Sequence, residues 1–154
     1  MAHSRLEAIA DEPLPIMRLT PEMVDDWLLG RLAATWPMRS PGYWRDRIAD
    51  LSRSNDVLLI TNGAAVLCAI RMPHLMSGIP EVTEIFVFSR AAQPTEEGIS
   101  IPEEHHGPVV ELYHRAREWQ IEMGASRMVI GRCSDLTVGE MRRYLKGRYL
   151  MDVR

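Results

Sequence analysis

Three places in this 154-residue sequence carry side chains able to do chemistry. The first is the run His105-His106-Gly107-Pro108. It stands between a strand-like segment and an amphipathic helical pattern. From Glu81 to Ile130 the order is strand, loop, helix, Gly124-Ala125, strand, which sets a helix N-terminus beside a strand end. Unpaired N–H groups and the helix dipole make such a place an anion site. The second is Glu84, inside the strand pattern Val82–Ser89. A strand carboxylate is either a base held in a cleft or a charge on a solvated face, and both readings stand at this stage. The third is Tyr144, either a proton donor or a packed ring with a wet hydroxyl.

Other reactive types lack the spacing that their chemistry needs. His74, His105 and His106 with Glu103-Glu104 form no His-x-x-x-His pair on one helix face, so no metal is expected. Cys68 and Cys133 lie in apolar segments and read as buried reduced thiols of a cytoplasmic-type protein. Ser134-Asp135 has no histidine placed to complete a triad. Arg142, Arg143, Lys146 and Arg148 make a basic end, read as a solvated helix terminus or a docking face for an acidic partner. A net charge of −3 gives no reason to expect nucleic-acid binding. No apolar run is long enough to span a membrane.

The elements that must position these residues follow from pattern. Residues 1–12 are polar and read as an arm; residues 13–154 read as one domain. Leu14–Leu19 is a short strand. Thr20-Pro21 predicts a helix start, with Val24, Trp27, Leu28 and Arg31 on one face. Ser40-Pro41 predicts a second helix carrying Trp44, Ile48 and Leu51. Asn62-Gly63 between Asp56–Thr61 and Ala64–Arg71 predicts a tight hairpin with positive φ at both turn residues. In Val82–Ser89, strict alternation puts Val82, Glu84, Phe86 and Phe88 on one face. Ala91–Glu104 is a polar connector. A long helix from about Pro108 carries the stripe Val109, Leu112, Tyr113, Ala116, Trp119 and Met123, and Gly124 ends it. Ser126–Cys133 reads as a strand. Thr137-Val138-Gly139-Glu140 is a capping box opening a helix to about Lys146, with a final strand in Arg148–Val153.

This order resembles the GNAT superfamily of N-acetyltransferases from about Leu14 onward. Local echoes are Ile16–Glu22, Glu84-Ile85-Phe86-Val87, Pro102–Gly107, Ala116–Trp119 with Gly124-Ala125, and Arg143–Gly147. The resemblance implies an α/β fold with a central mixed, largely antiparallel sheet and helices on both faces. It implies acetyl-CoA as cofactor and an amine as acceptor. Carried over, Val87 would pair with pantetheine, while His106, Gly107, Val109 and Val110 would offer amides to the pyrophosphate. Glu84 would be the base and Tyr144 the acid.

The sequence departs from that pattern at the loop. Gly107 is its single glycine, valines stand where a second small residue belongs, and Pro108 has no N–H. His105 or His106 replaces the family's arginine. The expectation is therefore a GNAT-fold, acetyltransferase-like protein with an eroded acyl-CoA loop. The alternative is a non-catalytic GNAT-like structural protein. It resembles the internal virion proteins of short-tailed phages, with a protein partner or a second copy as neighbour and the virion as location.

Overall fold

The computed structural model describes residues 15–145 and 151–153. The 1–12 arm, Lys146, Gly147 and Arg148 lie outside the described residues. Six strands form one sheet in the order β1-β2-β3-β4-β7-β8, with a separate two-stranded hairpin, β5-β6. The strands are β1 Met17–Arg18, β2 Val57–Thr61, β3 Ala65–Pro73, β4 Pro80–Ser89, β7 Met128–Ile130 and β8 Met151–Val153. The hairpin joins β5 Gln93–Thr95 to β6 Gly98–Ser100 inside the polar connector. β1 to β4 are antiparallel neighbours, while β4, β7 and β8 run parallel.

Helices cover both faces. The helices α1 Asp26–Thr35 and α2 Pro41–Ser52 lie on one side, α3 His106–Glu122 and α4 Val138–Leu145 on the other. The alternating side chains of β2 and β3 feed two cores. Leu58, Ile60 and Leu67 join Leu112 and Tyr113 of α3. Val57, Leu59 and Cys68 join Leu28, Leu32 and Ile48 of α1 and α2. Full burial of each such aliphatic side chain contributes about 1.5–3 kcal/mol.

Strict alternation fails in β4. Ala69 faces Glu84 and Cys68 faces Phe86, so Ile85 is an extra residue in a bulge. The bulge reverses the faces: Val82 and Val87 point to the α3 core, Phe86 and Phe88 to the α1–α2 core. Glu84 therefore does not share a face with the two phenylalanines.

Local signals are partly relocated. Pro21–Met23 forms a 3₁₀ turn without a side-chain cap from Thr20, and α1 starts later, capped by Asp25 Oδ1 accepting from Leu28 N at 3.0 Å. Ser40 caps α2 as predicted, accepting from Tyr43 N. The β2-β3 loop is longer than a two-residue turn. Only Gly63 has positive φ, at 84°, and Asn62 acts through its side chain. Its Oδ1 accepts from Ala64 N and Ala65 N at 3.2 and 3.1 Å, and its Nδ2 donates to Pro108 O at 2.9 Å. That last bond ties the hairpin to the first turn of α3. The capping box of α4 is reciprocal: Thr137 N donates to Glu140 Oε1 at 2.9 Å, and Glu140 N donates to Thr137 Oγ1 at 3.1 Å.

Candidate functional site

The seam between β4 and β7 is where a splayed pair of parallel strands could admit a ligand. Pairing is regular at Val82↔Met128 and Thr83↔Val129. Beyond Ile130 the chain turns away at Gly131, whose φ of 89° suits glycine. The space this leaves is filled by Glu84. Its Oε1 accepts from Gly131 N at 3.3 Å and its Oε2 from Cys133 N at 3.1 Å. The chain then returns to β4. Val87 N donates to Cys133 O at 2.8 Å, and Asp135 N donates to Val87 O at 3.0 Å. Asp135 Oδ2 next accepts from Ser89 N at 2.7 Å. Both backbone polar groups of Val87 are thus occupied within the chain.

Glu84 is fully buried on the α3 side, and the Tyr113 hydroxyl donates to its carboxylate. Burial pushes its carboxyl above the usual range, against the opposing pull of Tyr113 and the backbone amides. Burial, then the charge of Glu84, raises the Tyr113 phenol well above its ordinary value. The Tyr113 hydroxyl also lies 2.8 Å from Ser134 Oγ. Asp135, 4 % exposed, makes a two-pronged pair with Arg31 of α1 at 2.8 and 2.5 Å. The Arg31 guanidinium lies 4.3 Å above the Phe88 ring. Sequence reading missed Tyr113, Asp135 and Arg31 as a group. Tyr113 sits in an apolar stripe, and Arg31 and Asp135 are 104 residues apart.

The loop candidates lie elsewhere. A 3₁₀ turn, Glu103–His105, runs straight into α3, so the helical run starts before the predicted Pro108. His105 N donates to Pro102 O and His106 N to Glu103 O. Those amides are consumed. Val109 is buried in the core, and Val110 packs against it. Gly107 is exposed, and a Cβ there would meet nothing within 4 Å. Glu103 and Glu104 occupy the first turn of the run, where their charges already complement the helix dipole and oppose an incoming phosphate.

His106 and Tyr144 meet each other rather than Glu84. His106 Nδ1 and the Tyr144 hydroxyl are 2.7 Å apart. Nε2 faces only acceptors, Ile101 O at 2.7 Å and Glu140 Oε2 at 3.0 Å, so it carries the proton. In the neutral ring Nδ1 accepts from Tyr144 O–H. The Arg143 guanidinium donates to the same hydroxyl. These contacts tie the start of α3 to α4.

Among the described residues, no group of three or more His, Cys, Asp or Glu could hold a metal ion. No described helix is long and apolar enough to cross a membrane. Cys68 is buried, and desolvation pushes its thiol up to about 12. Cys133 is also raised, by burial first and by Glu84 second.

No family model and no curated protein sequence matches the chain. Solved structures do. The aminoglycoside antibiotic 6'-N-acetyltransferase AAC(6')-Ih of Acinetobacter baumannii superposes with a TM-score of 0.60 at 16% identity, covering 90% of this chain and 92% of that one. An aminoglycoside acetyltransferase from an uncultured soil metagenomic sample gives a TM-score of 0.49 at 14% identity, covering 76% and 78%. The first likeness assigns the fold: a GNAT-type mixed sheet with helices on both faces.

Proposed function

We propose that this chain is a GNAT-fold protein whose acyl-CoA cleft is filled by its own polypeptide, and that it works as a non-catalytic structural component. A phage virion interior is the setting we propose for it, with a protein partner or a second copy as neighbour. The observation that carries this reading is Val87. The N–H and C=O that would pair with pantetheine are bonded to Cys133 O and Asp135 N. The pyrophosphate end supports it as well. Val109 is turned into the core, Pro108 has no donor, and Glu103 and Glu104 crowd the helix start. In this reading Glu84 is a buried crosslink between β4 and the 131–133 turn, and Tyr144 with His106 is a helix tie.

A second reading is an acyl-CoA-dependent transferase acting on an amine. The fold shared over 90% of the chain with an aminoglycoside acetyltransferase favours it. Glu84 as base and Tyr144 as acid belong to that reading, with His106, Gly107, Val109 and Val110 as pyrophosphate donors. It requires the 131–135 segment to leave β4, breaking the two Val87 bonds and the two amide bonds to Glu84. At about 0.5–1.5 kcal/mol net each, these four bonds alone cost roughly 2–6 kcal/mol before any ligand binds, and the Asp135 contacts to Ser89 N and Arg31 add to it.

Calorimetric titration with acetyl-CoA separates the two. We expect no saturable heat and no rise in melting temperature at millimolar ligand, since ligand that binds the native state must raise it. Micromolar affinity with 1:1 stoichiometry would overturn the structural reading. For the setting, mass spectrometry of purified virions from a phage encoding this chain is the direct check. Its absence from the particle would remove the virion assignment.

A further inference from the structure

The face of β4 opposite the filled cleft holds an unfilled space. It is a cavity of about 350 Å³ between the sheet and α1–α2, walled by Trp36, Trp44, Ile70, Ile85 and Phe86. That is the small end of ligand-pocket sizes, roughly 300–1,000 Å³. The walls are aromatic and interlocked: Trp36 and Trp44 centroids lie 5.7 Å apart, Trp36 and Phe86 6.3 Å apart. The β4 bulge sets two of these walls, because it is Ile85 that shifts Phe86 onto this face.

Besides the buried Cys68 thiol, two polar features border the cavity. The Trp44 Nε1–H is buried and has no hydrogen-bond acceptor. An indole N–H left so is costly, and since the atom itself has no accessible surface, an oxygen in the cavity reaches it only if the ring turns. Arg47, on α2, also borders the cavity and is exposed, which puts its charge at the mouth. Among the described residues no carboxylate pairs with Arg47. Two neighbouring arginines are committed elsewhere: Arg45 donates to Val24 O, and Arg53 pairs with Asp50.

We propose that this cavity is a binding site for a small apolar carboxylate. The hydrocarbon or aryl body fills the aromatic walls, and the carboxylate takes the Arg47 guanidinium and the Trp44 N–H. A guanidinium presents the paired donors that a carboxylate matches. A polycationic sugar suits neither the walls nor the arginine. The site lies on the far side of β4 from the filled cleft, so it goes beyond the reading of that cleft and does not depend on it.

Octanoate is the probe, with octylamine and octanol as matched controls, titrated calorimetrically and by tryptophan fluorescence on the full chain. The expected result is saturable 1:1 binding of octanoate with a change in tryptophan emission, and binding of octylamine at least about tenfold weaker. Arg47→Ala, at an exposed position, should weaken octanoate by about tenfold or more and leave octanol unchanged. Trp44→Phe should weaken octanoate by about two- to tenfold. Equal affinity for octanoate and octylamine would reduce the cavity to an apolar adsorption site and overturn the proposal. So would no saturation by octanoate up to about 10 mM, or an Arg47→Ala protein that binds octanoate unchanged.

Discussion

The two faces of β4 treat polar atoms in opposite ways. On the α3 face a buried carboxylate, a buried phenol and a half-buried serine hydroxyl meet, and each has partners within the chain. Asp135, which continues that seam, is held by Arg31 and the Ser89 amide. On the α1–α2 face an aromatic cavity stays open and one indole donor goes unpaired. The seam between β4 and the 131–135 segment is closed by the chain itself, while the space on the other face stays open. A single inserted residue, Ile85, links them: the bulge leaves Glu84 toward α3 and turns Phe86 to the other side.

The largest effect expected from breaking the seam is at its charged end. Arg31→Ala leaves the Asp135 carboxylate buried without a counterion, which costs about 3–5 kcal/mol. Urea unfolding monitored by circular dichroism measures it. A loss below about 1 kcal/mol would mean that water reaches Asp135 and that the seam is looser than its geometry.

Tyr113→Phe keeps the ring in the core and removes only the hydroxyl. Glu84 then loses its phenolic donor, and Ser134 loses a neighbour. The expected cost is about 1–3 kcal/mol. The same variant sharpens the functional reading. If the seam keeps acetyl-CoA out, weakening it should make any latent affinity easier to detect.

Glu84 also predicts a pH dependence of definite sign. Its folded carboxyl stands above the ordinary carboxylate value, chiefly through burial. The folded state therefore holds this proton to higher pH than the unfolded chain does. The group's contribution to stability is fully present below the ordinary carboxylate pKa. It is lost as pH rises through the raised folded value. Glu84→Gln cannot titrate, so the urea midpoint of the native protein should fall relative to the variant's across that window. Parallel profiles would show that the hydrogen-bond donors to Glu84 outweigh its burial.

Much of the architecture is legible in residue order, because hairpin, cap and stripe signals act over a few residues. Asn62-Gly63, Ser40-Pro41 and the Thr137–Glu140 box all mark real boundaries. The turn chemistry at Asn62 is different from the expected one, since a side-chain oxygen replaces a positive φ. The bulge at Ile85 leaves no mark in composition: Glu-Ile-Phe-Val reads as plain alternation. Only the partner strand reveals that Cys68 faces Phe86 and Ala69 faces Glu84. The site suffers most from this. Glu84 and Tyr144 were legible as polar groups in structured segments. Their partners, Tyr113 and His106, come from another element in each case, and local spacing carries no information about that.

The smallest effect is expected at the indole, and it is the matched counterpart of Tyr113→Phe. Both substitutions delete one polar hydrogen from an aromatic ring beside β4. Tyr113 gives its hydrogen to a buried carboxylate; the Trp44 N–H has no acceptor. Trp44→Phe therefore removes an unsatisfied donor, a gain, together with some apolar contact to Trp36 and Tyr43, a loss. The two nearly offset, and we expect a change within about 1 kcal/mol. Urea midpoints of the two variants, measured side by side, test the contrast. Equal and substantial losses would mean that the Trp44 donor has a partner in solution, such as a bound water. The polar difference between the two faces of β4 would then disappear.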